Sequence, residues 1–116
     1  MSEMSVKDVK YYAGIDLGGT FIKCGIVDSD ANILVKGKVP TPSGYENIVE
    51  AMANLASALA SDYGVRLSGV GIASPGSCNS ETGVVTYANN LPFKNFEIAK
   101  IFKSFLPVKA VYVEND

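Results

Sequence analysis

Two adjacent glycines, Gly18 and Gly19, end one apolar run and precede another, and this break constrains the fold more than any other feature of the chain. From Lys10 the run KYYAGIDLGG has the β-rich, apolar character of a strand buried on both faces. Thr20 to Asp28, TFIKCGIVD, reads as a second strand. After the turn formers Asp28, Ser29, Asp30 and Asn32 comes a third, ILVKGKV, stopped by Pro40 and Pro42. Strands joined by turns this short make a three-stranded antiparallel meander.

The next segment changes period. Ser43 with Glu46 three residues on matches a capping box, and Ile48, Met52, Leu55, Leu59 and Tyr63 recur at helical spacing until Gly64. LSGVGIAS then supplies a fourth strand, SPGSCNSETG a loop dense in turn residues, and VVTYANN a short fifth strand. Asn95 can cap a second helix through Phe105, with Ile98, Ile101, Phe102 and Phe105 on one face. Pro107 stops it, and VKAVYV forms a sixth strand. The meander is thus followed by α-β-β-α-β. Each helix crosses over to a parallel strand, which predicts a mixed sheet with helices packed against it in an α/β domain. Residues 1–9 read as a disordered lead-in and residues 10–116 as a single domain.

The bulk properties agree. With 116 residues, 47% hydrophobic, 19% charged and 11 glycines, the chain has the profile of a compact α/β domain, large enough for a core but too small for paired lobes around a cleft. Ten Lys+Arg against twelve Asp+Glu give a net charge of −2, and no basic cluster is long enough to follow a phosphate backbone, so nucleic acid is not expected as a partner. Cys24 and Cys78 lack the spacing of a metal knuckle or a disulfide framework and read as reduced thiols of a cytoplasmic protein. The opening MSEMSVKDVK is polar and no apolar run approaches a membrane span, so neither export nor membrane insertion is expected. Tyr11, Tyr12, Tyr45, Tyr63, Tyr87 and Tyr112 form no stripe and are assigned no function.

Asp16-Leu17-Gly18-Gly19-Thr20 is where chemistry is expected. A carboxylate at the end of a buried strand, followed by two residues without side chains and a hydroxyl, suits a hairpin whose N–H groups approach phosphate oxygens closely. Asp16 can reach a phosphate-bound Mg²⁺ directly or through water, because that ion takes oxygen ligands and keeps several waters. Lys23, alone in an apolar strand, can direct a point charge toward the phosphates. The plainer alternative is a tight hairpin with Lys23 reaching solvent. The pattern is neither a Walker loop nor a dinucleotide fingerprint.

AGIDLGGTFIKCGIVD resembles the first phosphate motif of the ROK family of sugar kinases and related repressors, within the actin-like ATPase superfamily, whose fold is ribonuclease H-like. Three further blocks match in order: GVGIASPG resembles the strand and Pro-Gly turn beside the sugar, TGVVTYANNLPFKNFEI the segment before the second helix, and VYVEND the strand ending in Asn-Asp. The resemblance runs from about Tyr11 to Asp116. It implies ATP and Mg²⁺ as cofactors and a sugar, glucose or a related hexose, as substrate. ATP would sit on Asp16, Gly18, Gly19, Thr20 and Lys23. Asp116 would be the general base for the attacking sugar hydroxyl, while Gly76, Asn90, Asn115 and Asp116 would hold the sugar. Read without the family, Asn115-Asp116, Pro75-Gly76 and Asn89-Asn90 are polar turn pairs, and Phe93 serves packing as readily as sugar contact.

The resembling kinases continue past Asn-Asp with a sugar-binding glutamate and histidine, in many members a zinc loop, and a second lobe; this chain has no histidine at all. The expectation is therefore the amino-terminal lobe of a hexose kinase, inactive alone, self-associating through uncovered apolar surface, with any zinc in the remainder. The alternative is the sugar-sensing domain of a ROK-type repressor, against which stands the short polar stretch ahead of the phosphate motif.

Overall fold

A computed structural model describes residues 9–74, 77–79, 84–87 and 96–115. Its main sheet has five strands in the order β3-β2-β1-β4-β8. β1 (Tyr11–Leu17), β2 (Phe21–Asp28) and β3 (Ile33–Pro40) form the expected antiparallel meander. β4 (Leu67–Ser74) pairs parallel to β1, and β8 (Ala110–Asn115) parallel to β4, so both crossovers return to the same sheet as predicted. Pro40 does not end β3 but belongs to it. β3 lies at the sheet edge, where a residue with no N–H costs no ladder bond on the open side. Of the lead-in, residues 1–8 lie outside the described residues.

Helix α1 (Tyr45–Tyr63) buries Ile48, Val49, Met52, Leu55, Ala56 and Leu59 against β1, β2 and β3. At Gly37 of β3 an added Cβ would come within 3.2 Å of a Leu59 methyl, so the helix passes close to the edge strand there. Two details of α1 differ from expectation. The amino-terminal cap is Gly44, at φ 89°, with no side-chain cap hydrogen bond, so the Ser43/Glu46 capping box does not form. Instead Asn47 Nδ2 donates to the Ser43 carbonyl and Ile48 N–H to that of Gly44. Tyr63, placed on the apolar face by spacing, is exposed at the last turn, just before Gly64 turns left-handed at φ 79°.

The second half departs further. The loop after β4 contains a strand, β5 (Ser77–Asn79), which pairs with β6 (Val84–Tyr87) and through it with a two-residue strand, β7 (Phe96–Glu97), in a separate three-stranded sheet. The predicted fifth strand is thus outside the main sheet. Because Phe96 and Glu97 are extended, α2 spans only Ile98–Phe105 and Asn95 lies outside the described residues. Ile98 and Phe102 are fully buried, whereas Phe105 is exposed.

The core lies on one side of the sheet. Ala13, Ile15, Leu17, Ile22, Cys24, Ile26, Val70, Ile72 and Val113 point to the helices by the period-two alternation of strands. Burial pushes the Cys24 thiol up to about 12 from its usual 9.0. The neutral thiol suits this interior, and its contribution to stability is lost as pH climbs from 9.0 toward about 12, where the unfolded chain gains a thiolate. Cys78 belongs to β5. Among the described residues no helix is long and apolar enough to cross a membrane.

Candidate functional site

On its other side the sheet presents, among the described residues, the exposed positions of its strands. Registered pairing sets Lys38, Lys23, Asp16, Ala73 and Glu114 in one row across all five strands, with Lys36, Gly25, Gly14, Gly71 and Tyr112 in the next row on the same face. Three of the second row are glycines, so the surface sinks between Lys36 and Tyr112. The result is a hollow of about 740 Å³ lined by both rows, which holds Asp16, Lys23 and Glu114 together.

β1, β4 and β8 run parallel, so Leu17, Ser74 and Asn115 end at one rim of this hollow. Ligands of open α/β sheets bind outside such carboxyl ends. From this rim leaves the Gly18-Gly19-Thr20 hairpin. The hairpin is closed by the Gly18 N–H donating to the Phe21 carbonyl at 3.0 Å, and its Gly19 and Thr20 are exposed. Asp16, two residues earlier, projects from the open face directly across from Lys23.

The structure therefore brings together Asp16, Gly18, Gly19, Thr20 and Lys23. It sets the Asn115 backbone in register with the buried Ser74, on the strand separated from β1 by β4 alone. Gly76, Asn90, Phe93 and Asp116 lie outside the described residues. As to metal, no group of three or more His, Cys, Asp or Glu side chains gathers among the described residues. The exposed Asp16 carboxylate, two residues ahead of the glycine hairpin, fits Mg²⁺ that is carried largely by phosphate oxygens and water.

Two residues at the hairpin were not anticipated from sequence. Lys38 holds its Nζ 4.5 Å from the centre of the Phe21 ring, beside Lys23. Thr41 donates from Oγ1 to the Gly18 carbonyl at 2.8 Å and from its N–H to the Thr20 carbonyl at 2.9 Å. Pairing β2 with β3 outward from the Asp28–Asn32 turn would have pointed to this neighbourhood. A bulge between Ile26 and Val27 shifts that register by one residue.

Comparison with known proteins bears on the family and the fold. Residues 12–116 match the ROK family. A glucokinase of Streptomyces coelicolor is 35% identical over 103 residues, which is 89% of this chain and 32% of the relative. An N-acetyl-D-glucosamine kinase of Citrobacter koseri is 38% identical over 82 residues, 70% of this chain and 26% of that protein. In structure, a ROK family glucokinase from Streptomyces griseus, solved in complex with glucose and AMPPNP, superposes with a TM-score of 0.82 at 30% identity, over 90% of this chain and 33% of that one. The chain thus spans about a third of the length of the glucokinases it matches. Its mixed sheet is the actin-like ATPase fold of ROK sugar kinases. On its sequence and its fold alike, the chain belongs to the ROK family.

Proposed function

We propose that this chain is the phosphate-gripping amino-terminal lobe of a cytoplasmic hexose kinase that transfers the γ-phosphate of ATP to a sugar hydroxyl, with glucose the first candidate acceptor. One observation carries the reading. The glycine hairpin after β1 and the strand end bearing Asn115 leave the same rim of one hollow, with β4 alone between their strands. Two strand spacings put them roughly 10 Å apart, a span suited to a phosphoryl group on one side and its acceptor on the other. The relatives named above support a sugar as the acceptor: one is a glucokinase and one an N-acetyl-D-glucosamine kinase.

In this reading the N–H groups at the tip of the hairpin, those of Gly19 and Thr20, donate to phosphate oxygens while the Gly18 N–H keeps the turn closed on the Phe21 carbonyl, and Lys23 adds a positive charge from the adjacent strand. Asp16 holds Mg²⁺, directly or through water; the ion supplies charge neutralisation on the phosphates when bound. Asp116, directly after β8, takes the proton of the sugar hydroxyl, while Asn115, Asn90 and Gly76 orient the ring. Phosphoryl transfer asks mostly for positioning and charge stabilisation, and a carboxylate base orients the nucleophile. The remaining walls of the site belong to the two thirds of its relatives' length that this chain does not span, so the chain alone is inactive.

The polypeptide encoded by the full reading frame around this chain, given glucose and MgATP, should form ADP and sugar phosphate in equal amounts. Asp116→Asn should lower kcat by about 10²- to 10⁴-fold with nucleotide affinity little changed. No turnover across a panel of glucose, mannose and N-acetylglucosamine sinks the kinase reading. An Asp116→Asn variant within a few-fold of wild type removes Asp116 as the base.

A further inference from the structure

Thr41 stands just past β3 between Pro40 and Pro42, and it spends both its hydroxyl and its backbone N–H on the glycine hairpin. The hydroxyl bond, 2.8 Å to the Gly18 carbonyl, joins residues 23 apart in sequence and is partly buried. The N–H bond, 2.9 Å to the Thr20 carbonyl, grips the hairpin's other side. In a planar trans peptide the C=O and the following N–H point in opposite directions. The Gly18 carbonyl shares its peptide unit with the Gly19 N–H, and the Thr20 carbonyl shares its unit with the Phe21 N–H. Drawing both carbonyls toward Thr41 therefore turns the Gly19 and Phe21 N–H groups away from β3.

We propose that Thr41 is a positioning residue for the nucleotide phosphates: by holding the Gly18 and Thr20 carbonyls it fixes the direction of the Gly19 and Phe21 amides. The inference rests on the kinase reading above and adds to it a residue outside the phosphate motif. Glycine gives the hairpin its close approach to an anion but also the most backbone freedom to lose. A tether from the neighbouring strand removes that freedom before the nucleotide arrives, and a donor set fixed in advance binds more tightly than one ordered on binding. Lys38 of the same strand adds a contact of its own, its Nζ lying 4.5 Å from the centre of the Phe21 ring.

The hydroxyl is tested by Thr41→Val, which keeps the side chain's shape and the backbone N–H, against Thr41→Ser, which restores the donor. In the full-length polypeptide Thr41→Val should lower kcat/KM for MgATP by about three- to tenfold, the worth of one hydrogen bond, with KM for glucose held within about twofold. Thr41→Ser should return close to wild type. Independently of turnover, the Gly19 amide resonance of ¹⁵N-labelled protein should move on addition of Mg·AMPPNP, and move much less in Thr41→Val. Thr41→Val with unaltered kcat/KM for ATP overturns the assignment, as does Thr41→Ser equally impaired, which would point to packing. If Thr41→Val does not fold, the wild-type titration decides, since an unmoved Gly19 amide overturns the proposal. A wild-type protein that moves Gly19 with nucleotide yet phosphorylates no hexose keeps Thr41 and discards the kinase reading. An active wild type with an unaffected Thr41→Val does the reverse.

Discussion

A Cβ built on Gly18 would lie 2.8 Å from the Phe21 carbonyl oxygen, the same atom that accepts the hairpin's closing bond from the Gly18 N–H at 3.0 Å. Neither partner is a side chain that can swing aside, so the two strands would have to spread. Gly14, four residues earlier on the open face, has nothing within 4 Å of its added Cβ. The pair separates sterics from composition. Gly18→Ala should lower the unfolding free energy by about 1–3 kcal/mol, a typical cost of local backbone strain. Gly14→Ala should stay within about 0.5 kcal/mol of wild type. Urea unfolding of the two variants checks this, and equal losses would show that the hairpin closure is not what constrains Gly18. The sequence places the turn by its paired glycines, but which atoms meet across it depends on the turn geometry that brings the Phe21 carbonyl back over residue 18.

At the scale of elements, what could be read from sequence follows the strength of local periodicity. β4 was delimited to the residue, and α1 was placed by Ile48, Met52, Leu55 and Leu59, because a period sustained over many positions outweighs any single residue. The start of α1 departs from the capping box that Ser43 and Glu46 suggest, because Gly44 adopts a φ of 89° that bypasses the Ser43 cap. The short strands β5 and β7, three and two residues long, carry no period at all, and they exist through pairing with β6. Likewise the bulge between Ile26 and Val27 decides whether Thr20 faces Pro40 or Thr41, and nothing in the alternation of β2 announces it. The carboxyl end of α1 was legible, since glycine at a left-handed cap is a strong local rule. Gly64, at φ 79° with nothing near its added Cβ, lends itself to a clean test. Gly64→Ala should cost about 1 kcal/mol through backbone conformation alone, with Gly64→Asn costing less. The urea midpoint should fall with an unchanged m-value; a loss well above that would mean a tertiary contact at the cap.

Taken whole, the molecule has one sheet face covered by helices and one that exposes its strand residues among the described residues. Helices α1 and α2 cover the apolar residues of the sheet, while the opposite face leaves Tyr112 64% exposed beside the glycine row. The hollow on that face is floored by the sheet and rimmed by the hairpin, and the described residues give it phosphate donors from one side only. A nucleotide bound there would place its phosphates against a few N–H groups and Lys23 while its base and ribose stayed in water. Association carries a cost of several kcal/mol in lost translation and rotation before any surplus appears. A few charge-assisted hydrogen bonds in contact with solvent do little more than offset it. The 116-residue chain by itself should therefore bind MgATP with a Kd no tighter than about 1 mM, equivalent to about −4 kcal/mol. Isothermal titration or amide-shift titration measures this directly. Micromolar binding by the isolated chain would mean that the hollow encloses the nucleotide without further walls, and that the site is already complete in the sheet and its hairpin.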